Sequence, residues 1–572
     1  MFNMYNKWLN SPVVDEETKK ELRAIEGNED EIKARFGVPM EFGTAGLRSI
    51  MTAGTGRMNV YTVAHTTAGL AKLIIDKGGE NRGVAVAYDS RINSTTFART
   101  ASEVLAANGI KVYYFESLRP TPELSFAILH LNCIAGINIT ASHNAMEYNG
   151  YKVYWEDGAQ LPPDHAAVVS ASVASTDIFD GVKRMDFDKA VEAGLITIIG
   201  EEIDEAYIKA VMDCQVCPDA LREWGDSLNM IYSPLHGAGY KLVPEVLRRA
   251  GVTNLRIVPS QAEPDGRFPT VKSPNPESKE CFKDGLLMAA ASDNDCDILL
   301  ATDPDSDRVG IVAKDLDGNY IPFSGNQVGA LLIEYIIQGR KEKGTMPANP
   351  CAIKSIVSSA LFDAVCATNG IKCMSVLTGF KYIGEKIKEF EARGDYGFIF
   401  GYEESYGYLP GTYARDKDAV ATSLLIAEMA AYYKRLGVSL YSLLMKMYEK
   451  YGFYKELGIS NVVKGIDPMS TMRAKMTDLR ANAMTEVAGI PVLRIRDYKT
   501  GLVTILADGS TESTGLPSSD VLYYELADGS TYIIRPSGTE PKIKVYVLAK
   551  GETMEDVDSK LAAFGDFTKT LF

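Results

Sequence analysis

Four short stretches of this sequence bring together residue types that do chemistry. In ITASHNAMEYNGYKVYW, an apolar run leads straight into Ser142, His143 and Asn144, with Thr140 just before and Lys152 ten residues after the serine. A hydroxyl at the end of a buried strand is well placed to act as a nucleophile, although a lone loop serine is ordinarily a turn or capping residue. In DILLATDPDSDRVGIVA, Asp303, Asp305 and Asp307 stand at alternate positions between two apolar runs. Alternate residues of an extended loop point the same way, and three hard oxygen ligands on one side suit Mg²⁺. Calcium binding of the EF-hand type fails, because position six of the loop is Arg308 instead of Gly and position twelve is Lys314 instead of Glu. A solvated acidic turn is the plain alternative; Arg308 argues against it, since an arginine there neutralises carboxylates or grips a phosphate.

The third stretch, FIFGYEESYGYLPGTYARDKDAV, ends an apolar strand in Gly401 and follows it with Glu403 and Ser405. Carboxylate and hydroxyl at alternate positions can bracket vicinal sugar hydroxyls; a tyrosine-rich surface loop is the bland alternative. The fourth, YIIRPSGTEPKIKVYV, sets Arg535, Ser537, Gly538, Thr539 and Lys544 around a tight turn between two strands. Small residues let backbone N–H groups reach a phosphate, and an arginine adds a bidentate clamp. A generic β-turn explains Pro536 and Gly538 but not the cluster of donors.

The elements that must carry these loops read as α/β. From residue 83, VAVAY, FARTASEVLAANG, KVYYF, PELSFAILHL and AGINIT alternate β-branched runs with helical periodicity, a βαβ pattern that implies a covered, largely parallel sheet. The pattern restarts at NMIYS and again at AIKSIVSS. After about residue 455 the text changes to strand pairs joined by acidic-glycine turns, with a final helix from Met554. The fold class is therefore three consecutive α/β domains with mixed, mainly parallel sheets plus a C-terminal α+β domain. The expected boundaries are 1–205, 206–325, 326–455 and 456–572.

Composition bounds the rest. A chain of 572 residues, 46% hydrophobic and 24% charged, is that of an ordinary globular protein too long for one core. A net charge of −15 argues against a nucleic-acid or anionic-membrane surface, so an anionic substrate must meet a local basic pocket. The eight cysteines form no disulfide framework, and Cys214 with Cys217 lacks the second half of a zinc site, so a cytoplasmic setting is expected. The N-terminus reads as polar helix without a secretory pattern, and the longest apolar run, VGALLIEYII, contains Glu334 and falls far short of a membrane span.

Six ordered motifs then fit one pattern: FGTAGLR at 42–48, TASHN at 140–144, DPDSDR at 303–308, TGFK at 378–381, GYEES at 401–405 and RPSGTEPKIK at 535–544. Over essentially the whole length the chain resembles the α-D-phosphohexomutase superfamily. The resemblance implies an active site in the central cleft of four domains, Ser142 stored as phosphoserine, and Mg²⁺ bridging it to Asp303, Asp305 and Asp307. It further implies proton management and charge stabilisation by Lys152 and Arg48; His143 stands with Ser142, Lys152 and Arg48 as a catalytic candidate, a hydrogen-bonding role beside the serine being the plainer reading. A lysine in an acid or base role needs a lowered pKa, which nearby cations can supply. Sugar contacts are expected from Arg308, Thr378, Gly379, Lys381, Glu403, Ser405 and Lys417, and phosphate contacts from Arg535, Ser537, Gly538, Thr539 and Lys544. The family usually has Pro after TASHN; Ala145 stands there and is expected to loosen the loop.

The implied activity is reversible phosphoryl transfer between C1 and C6 of a hexose phosphate through a sugar bisphosphate, with glucose 1,6-bisphosphate as activator and intermediate and the fourth domain moving to close the cleft. Small-molecule sugar phosphates are the expected partners, and the chain is expected to be a monomer or homodimer. The Glu-Glu-Ser form of GYEES points to glucose, whereas TGFK resembles a longer clade that includes pentose-phosphate mutases; pentose and mannose phosphates are the alternatives. An aspartate-nucleophile phosphatase also opens with DPD after an apolar strand, but it leaves TASHN unexplained. A non-catalytic sugar-phosphate binder is the remaining reading.

Overall fold

The computed structural model describes residues 1–42, 46–291, 295–464, 467–537 and 541–572. It divides into two compact units: Met1–Phe323 with Gly384–Arg393 and Gly407–Leu436, and Ser324–Ile383 with Gly394–Tyr406 and Gly437–Phe572.

The first unit opens with three short helices, Phe2–Asn10, Glu16–Arg23 and Glu29–Phe36, where the sequence pattern suggests polar helix. They bury Trp8 edge-on against Phe36, Tyr61 and Phe179. A six-stranded sheet follows, in spatial order Leu47–Ile50, Tyr148–Trp155, Ala135–Ile139, Val84–Tyr88, Val112–Phe115 and Ile196–Ile199. The last four are mutually parallel, and the first two join antiparallel. Val84–Tyr88 and Ala135–Ile139 are buried along their whole lengths, as near-continuous apolar strands covered on both faces must be.

A second sheet of the same unit runs Tyr320–Pro322, Val309–Lys314, Ile298–Thr302, Met230–Ser233, Leu255–Ile257. Its last three strands are parallel, while Ile298–Thr302 and Val309–Lys314 form an antiparallel hairpin whose connection is the aspartate loop.

In the second unit, Pro350–Ser355 pairs in parallel with Lys372–Val376 and Gly397–Glu403. The run VGALLIEYII lies in the helix Gly325–Lys343, where Glu334 accepts a hydrogen bond from Tyr451 Oη at 2.8 Å. Among the described residues no helix is long and apolar enough to cross a membrane. An antiparallel sheet built from Phe453–Val462 through Lys542–Gly551 completes the unit, packed against the helices Pro468–Ala481 and Met554–Leu571 over a core that includes Tyr524, Tyr532, Val545 and Phe564. The final helix starts at Met554, as the sequence predicts.

Candidate active site

Ser142 follows the central strand Ala135–Ile139 in a left-handed conformation, φ 52°, held by a hydrogen bond from its own N–H to Thr140 Oγ1 at 2.8 Å. That conformation is uncommon for a residue with a side chain and marks a site where the fold imposes the backbone. The side chain is almost fully buried, and its hydroxyl donates to Asp303 Oδ2 at 2.7 Å. His143 Nδ1 lies 3.2 Å from the same oxygen. Burial first, and then Arg308 and Arg48, hold this imidazole well below its ordinary range, so the ring is neutral.

Asp303, Asp305 and Asp307 are all buried, with one carboxylate oxygen from each lying within 4.8 Å of the others. Their convergence does not come from an extended loop: the connection turns tightly, with Ser306 at φ 53°. Asp303 Oδ1 accepts from the backbone N–H groups of Asp307 and Arg308, both at 3.1 Å, which folds the loop around that carboxylate. The three side chains converge because the loop wraps them, not because they alternate.

Two oxygens fit a metal. Asp305 Oδ1 and Asp307 Oδ1 are buried without a hydrogen-bond partner, a costly condition for a carboxylate that a cation would relieve. With Asp303 and the Ser142 oxygen they make an all-oxygen donor set suited to a hard divalent cation. Burial, followed by Asp305 and Asp307, raises Asp303 well above the usual carboxylate range.

Cations surround the loop. Lys152 Nζ donates to Asp305 Oδ2 at 2.7 Å and lies 3.6 Å from Asp307 Oδ2. The expected lowering of its pKa is not found: burial pulls it down, but Asp305 and Asp307 outweigh burial and the neighbouring Lys417 and Arg48, leaving it raised. Lys417, expected at the sugar, is ion-paired to Asp307 at 3.0 Å and to Asp416 at 3.2 Å. Arg308 pairs with Glu277 at 2.9 Å, and Arg48 donates to Asn144 Oδ1 at 2.9 Å.

In the second unit, the expected sugar motifs meet: the Gly379 N–H donates to Glu403 Oε1 at 2.6 Å, beside the buried Thr378 hydroxyl. Lys381 lies over the Tyr382 ring, and Ser405 is half-buried two residues beyond Glu403. Arg535 and Lys544 are direct cross-strand partners, and the Ser537 N–H donates to Lys542 O at 2.8 Å. Gly538 and Thr539 lie outside the described residues, as do 43–45 of the first motif. Tyr546 bonds Arg535 and is pushed up to about 12, by burial first and then by Glu404.

Residues 39–178, 205–318 and 324–451 match, in turn, the family models described as phosphoglucomutase/phosphomannomutase α/β/α domains I, II and III. A phosphoglucomutase of Staphylococcus epidermidis is 35% identical over 561 residues, covering 98% of this chain and 99% of the relative. The chain belongs to the α-D-phosphohexomutase superfamily. A phosphoglucomutase of Staphylococcus aureus is 36% identical over 532 residues, 92% of this chain and 93% of its own length. Among solved structures, the open form of the Paramecium phosphoglucomutase parafusin shares the fold, with a TM-score of 0.70 at 16% identity over 93% of this chain and 96% of that one.

Beside these side chains the structure also places residues that sequence reasoning missed. Arg91 Nη1 donates to the carbonyls of Ala145 at 2.9 Å and Tyr148 at 3.0 Å, and Nη2 reaches those of Ser142 and Asn144. The loop expected to be loosened by Ala145 is therefore clamped by one buried guanidinium, itself paired with Asp89 at 3.3 Å. Arg91 follows the strand VAVAY in the first βα turn, a position where functional residues gather, and that was the available signal. Gly237 is a second: a Cβ there would meet Pro304 Cα at 2.4 Å, while the Ala238 N–H donates to Pro304 O at 2.8 Å. The segment 234–239 is thus a brace against the aspartate loop.

Proposed function

We propose that this chain is a phosphoglucomutase, interconverting glucose 1-phosphate and glucose 6-phosphate with Ser142 as the phosphoryl carrier. The observation that carries the reading is the Ser142 hydroxyl hydrogen-bonded at 2.7 Å to Asp303 inside a buried cluster of three aspartates. The near-full-length identity to relatives named phosphoglucomutase, together with Glu403 and Glu404 of GYEES, supports glucose as the sugar.

Asp303, Asp305 and Asp307 would hold Mg²⁺, which supplies charge neutralisation on the transferring phosphoryl group. Phospho-Ser142 donates its phosphoryl group to the free hydroxyl of the bound monophosphate; the serine P–O bond breaks as the sugar P–O bond forms, giving glucose 1,6-bisphosphate. The serine oxygen leaves with the electron pair and the proton lost by the sugar hydroxyl ends on Ser142 Oγ, so the transfer is proton-neutral. After the bisphosphate turns, the other phosphoryl group returns to Ser142. Lys152, kept charged by Asp305 and Asp307, stabilises negative charge on the transferring oxygens, as does Arg48. His143, neutral and 3.2 Å from Ser142 Oγ, orients that oxygen. Arg535, Ser537, Gly538, Thr539 and Lys544 are assigned to the distal phosphate, and Thr378, Gly379, Lys381, Glu403 and Ser405 to the sugar.

Initial rates with the 1-phosphates of glucose, mannose and ribose, each with glucose 1,6-bisphosphate and with or without Mg²⁺, test the reading. Glucose 1-phosphate is expected to be turned over fastest and only with the cation. A faster rate with ribose or mannose 1-phosphate would reassign the sugar, and release of free phosphate in place of isomer would replace the mutase by a phosphatase.

A further inference from the structure

Asn138 and Lys152 are direct cross-strand partners in the antiparallel pairing of Ala135–Ile139 with Tyr148–Trp155. Opposed residues of such a pair share one face of the sheet. Both lead to the same atom. Lys152 Nζ donates to Asp305 Oδ2 directly at 2.7 Å, and Asn138 Nδ2 donates at 2.6 Å to Thr121 Oγ1, whose hydroxyl donates to Asp305 Oδ2 at 2.8 Å. The Thr121 N–H also donates to the Asp305 carbonyl at 2.8 Å. Thr121 and Asn138 are both wholly buried, so water does not compete for these bonds.

The direction of the chain is fixed by valence. The Thr121 oxygen accepts from the Asn138 amide, which leaves its single proton for Asp305. Asp305 Oδ2 is then engaged by two donors, one charged and one neutral, while Oδ1 has none. A carboxylate held this way presents one oxygen.

We infer that Thr121 and Asn138 are positioning residues of the cation site, which hold Asp305 so that it offers Oδ1 alone and in a fixed direction. This rests on the metal role proposed for the three aspartates and deepens it. The dyad acts through Asp305 and touches neither substrate nor reacting atoms. Outer hydrogen-bond partners of metal ligands commonly affect affinity by about 10- to 100-fold, because without them the ligand must be ordered at the moment of binding. Thr121, the first residue of the helix Thr121–His130, also reaches the hairpin that carries the aspartates with one side-chain and one backbone bond, while Asn138 joins it to the strand that leads to the nucleophile.

The test is Mn²⁺ binding to the full-length protein, read from the electron paramagnetic resonance signal of the free ion, for the parent, Thr121→Val, Thr121→Ser and Asn138→Leu. Thr121→Val keeps shape and the backbone bond but loses the hydroxyl; its affinity is expected to fall at least about tenfold, with its metal-free melting temperature within a few degrees of the parent. Thr121→Ser restores the donor and is expected within about threefold of the parent, and Asn138→Leu is expected to weaken binding in the same direction by a smaller factor. A Thr121→Val protein that binds Mn²⁺ as tightly as the parent would overturn the inference while leaving the mutase reading intact. A parent that binds no Mn²⁺ would instead sink the metal role of the aspartates. Should the variants fail to fold, a crystal structure of the parent with Mn²⁺ decides: Asp305 coordinating through Oδ1 with Oδ2 still on Thr121 supports the assignment, and bidentate coordination or a displaced Thr121 contradicts it.

Discussion

The Ser142 hydroxyl and the Asp303 carboxylate, 161 residues apart in sequence, meet in a 2.7 Å hydrogen bond. Each partner is anchored separately, Ser142 by Thr140 and Arg91, and Asp303 by the backbone N–H groups of its own turn. The bond therefore reports two preformed loops brought into register, not one loop adapting to the other.

That separation of anchors gives the first prediction. Ser142→Ala should lower Mg²⁺ affinity less than Asp303→Asn does, because one neutral donor is lost while all three carboxylates keep their supports, yet lose at least about 10³-fold in kcat through loss of the nucleophile. Asp303→Asn should weaken both. Calorimetry alongside a coupled assay separates the two outcomes.

Arg91 gives the second. Its donors reach four carbonyls of the nucleophile loop, and a misplacement of a reacting group by about 1 Å can cost about 10²-fold. Arg91→Met is expected to lower kcat by that order with a much smaller change in KM. Ala145→Pro, which restores the residue usual in the family, should change either constant by less than about threefold with Arg91 present, since the clamp already holds the loop.

The third concerns pH. Burial, and then the charges of Asp305 and Asp307, disfavour ionisation of Asp303 and raise its pKa. Below the raised value the carboxyl carries a proton that a cation must displace, so Mg²⁺ affinity should fall as pH drops through that value, with proton release on binding. The same sign governs the metal-free fold. A carboxyl raised on folding contributes its full stability below its unfolded value and loses it as pH rises through the folded one. The gain in melting temperature on adding Mg²⁺ should therefore be larger at the higher pH.

Gly237 supplies a probe of the aspartate loop. A Cβ at this position must displace Pro304, whose Cα would lie 2.4 Å away. Gly237→Ala is expected to weaken Mg²⁺ binding about tenfold or more by moving the carboxylates, because ligands must be held to a fraction of an ångström. Melting curves without metal should fall as well, by the cost of displacing Pro304, and report that cost separately from the loss of affinity.

Much of this was legible in the sequence, for physical reasons. VAVAY reads as a covered strand because both its faces are apolar, AGINIT as a strand from its short β-branched run despite Asn138, and the final helix begins at Met554 as the pattern indicates. The chemistry-bearing side chains Ser142, Asp303, Asp305, Asp307 and Lys152 stood out because their types are unusual in such company. What escaped were residues acting on backbone or through contacts across long stretches of chain. Arg91 binds carbonyls, Gly237 acts by lacking a side chain, and Asn138 and Thr121 join Asp305 across more than one element. The aspartate triad was identified from an alternation that the turn at Ser306 does not preserve, so its members were recognised while the reason for their convergence was not. Lys417 is expected at the sugar, and its ammonium lies on Asp307, a pairing that no spacing in the sequence reveals.

The central claim is that Ser142 carries the phosphoryl group, and phosphate mapping tests it most directly. Protein incubated with glucose 1,6-bisphosphate labelled in its phosphates, then quenched and digested, should yield one acid-stable phosphopeptide with the phosphate on Ser142, discharged on addition of unlabelled glucose 1-phosphate and absent in Ser142→Ala. Label found as an acyl phosphate on Asp303, or retained in Ser142→Ala, would contradict the account.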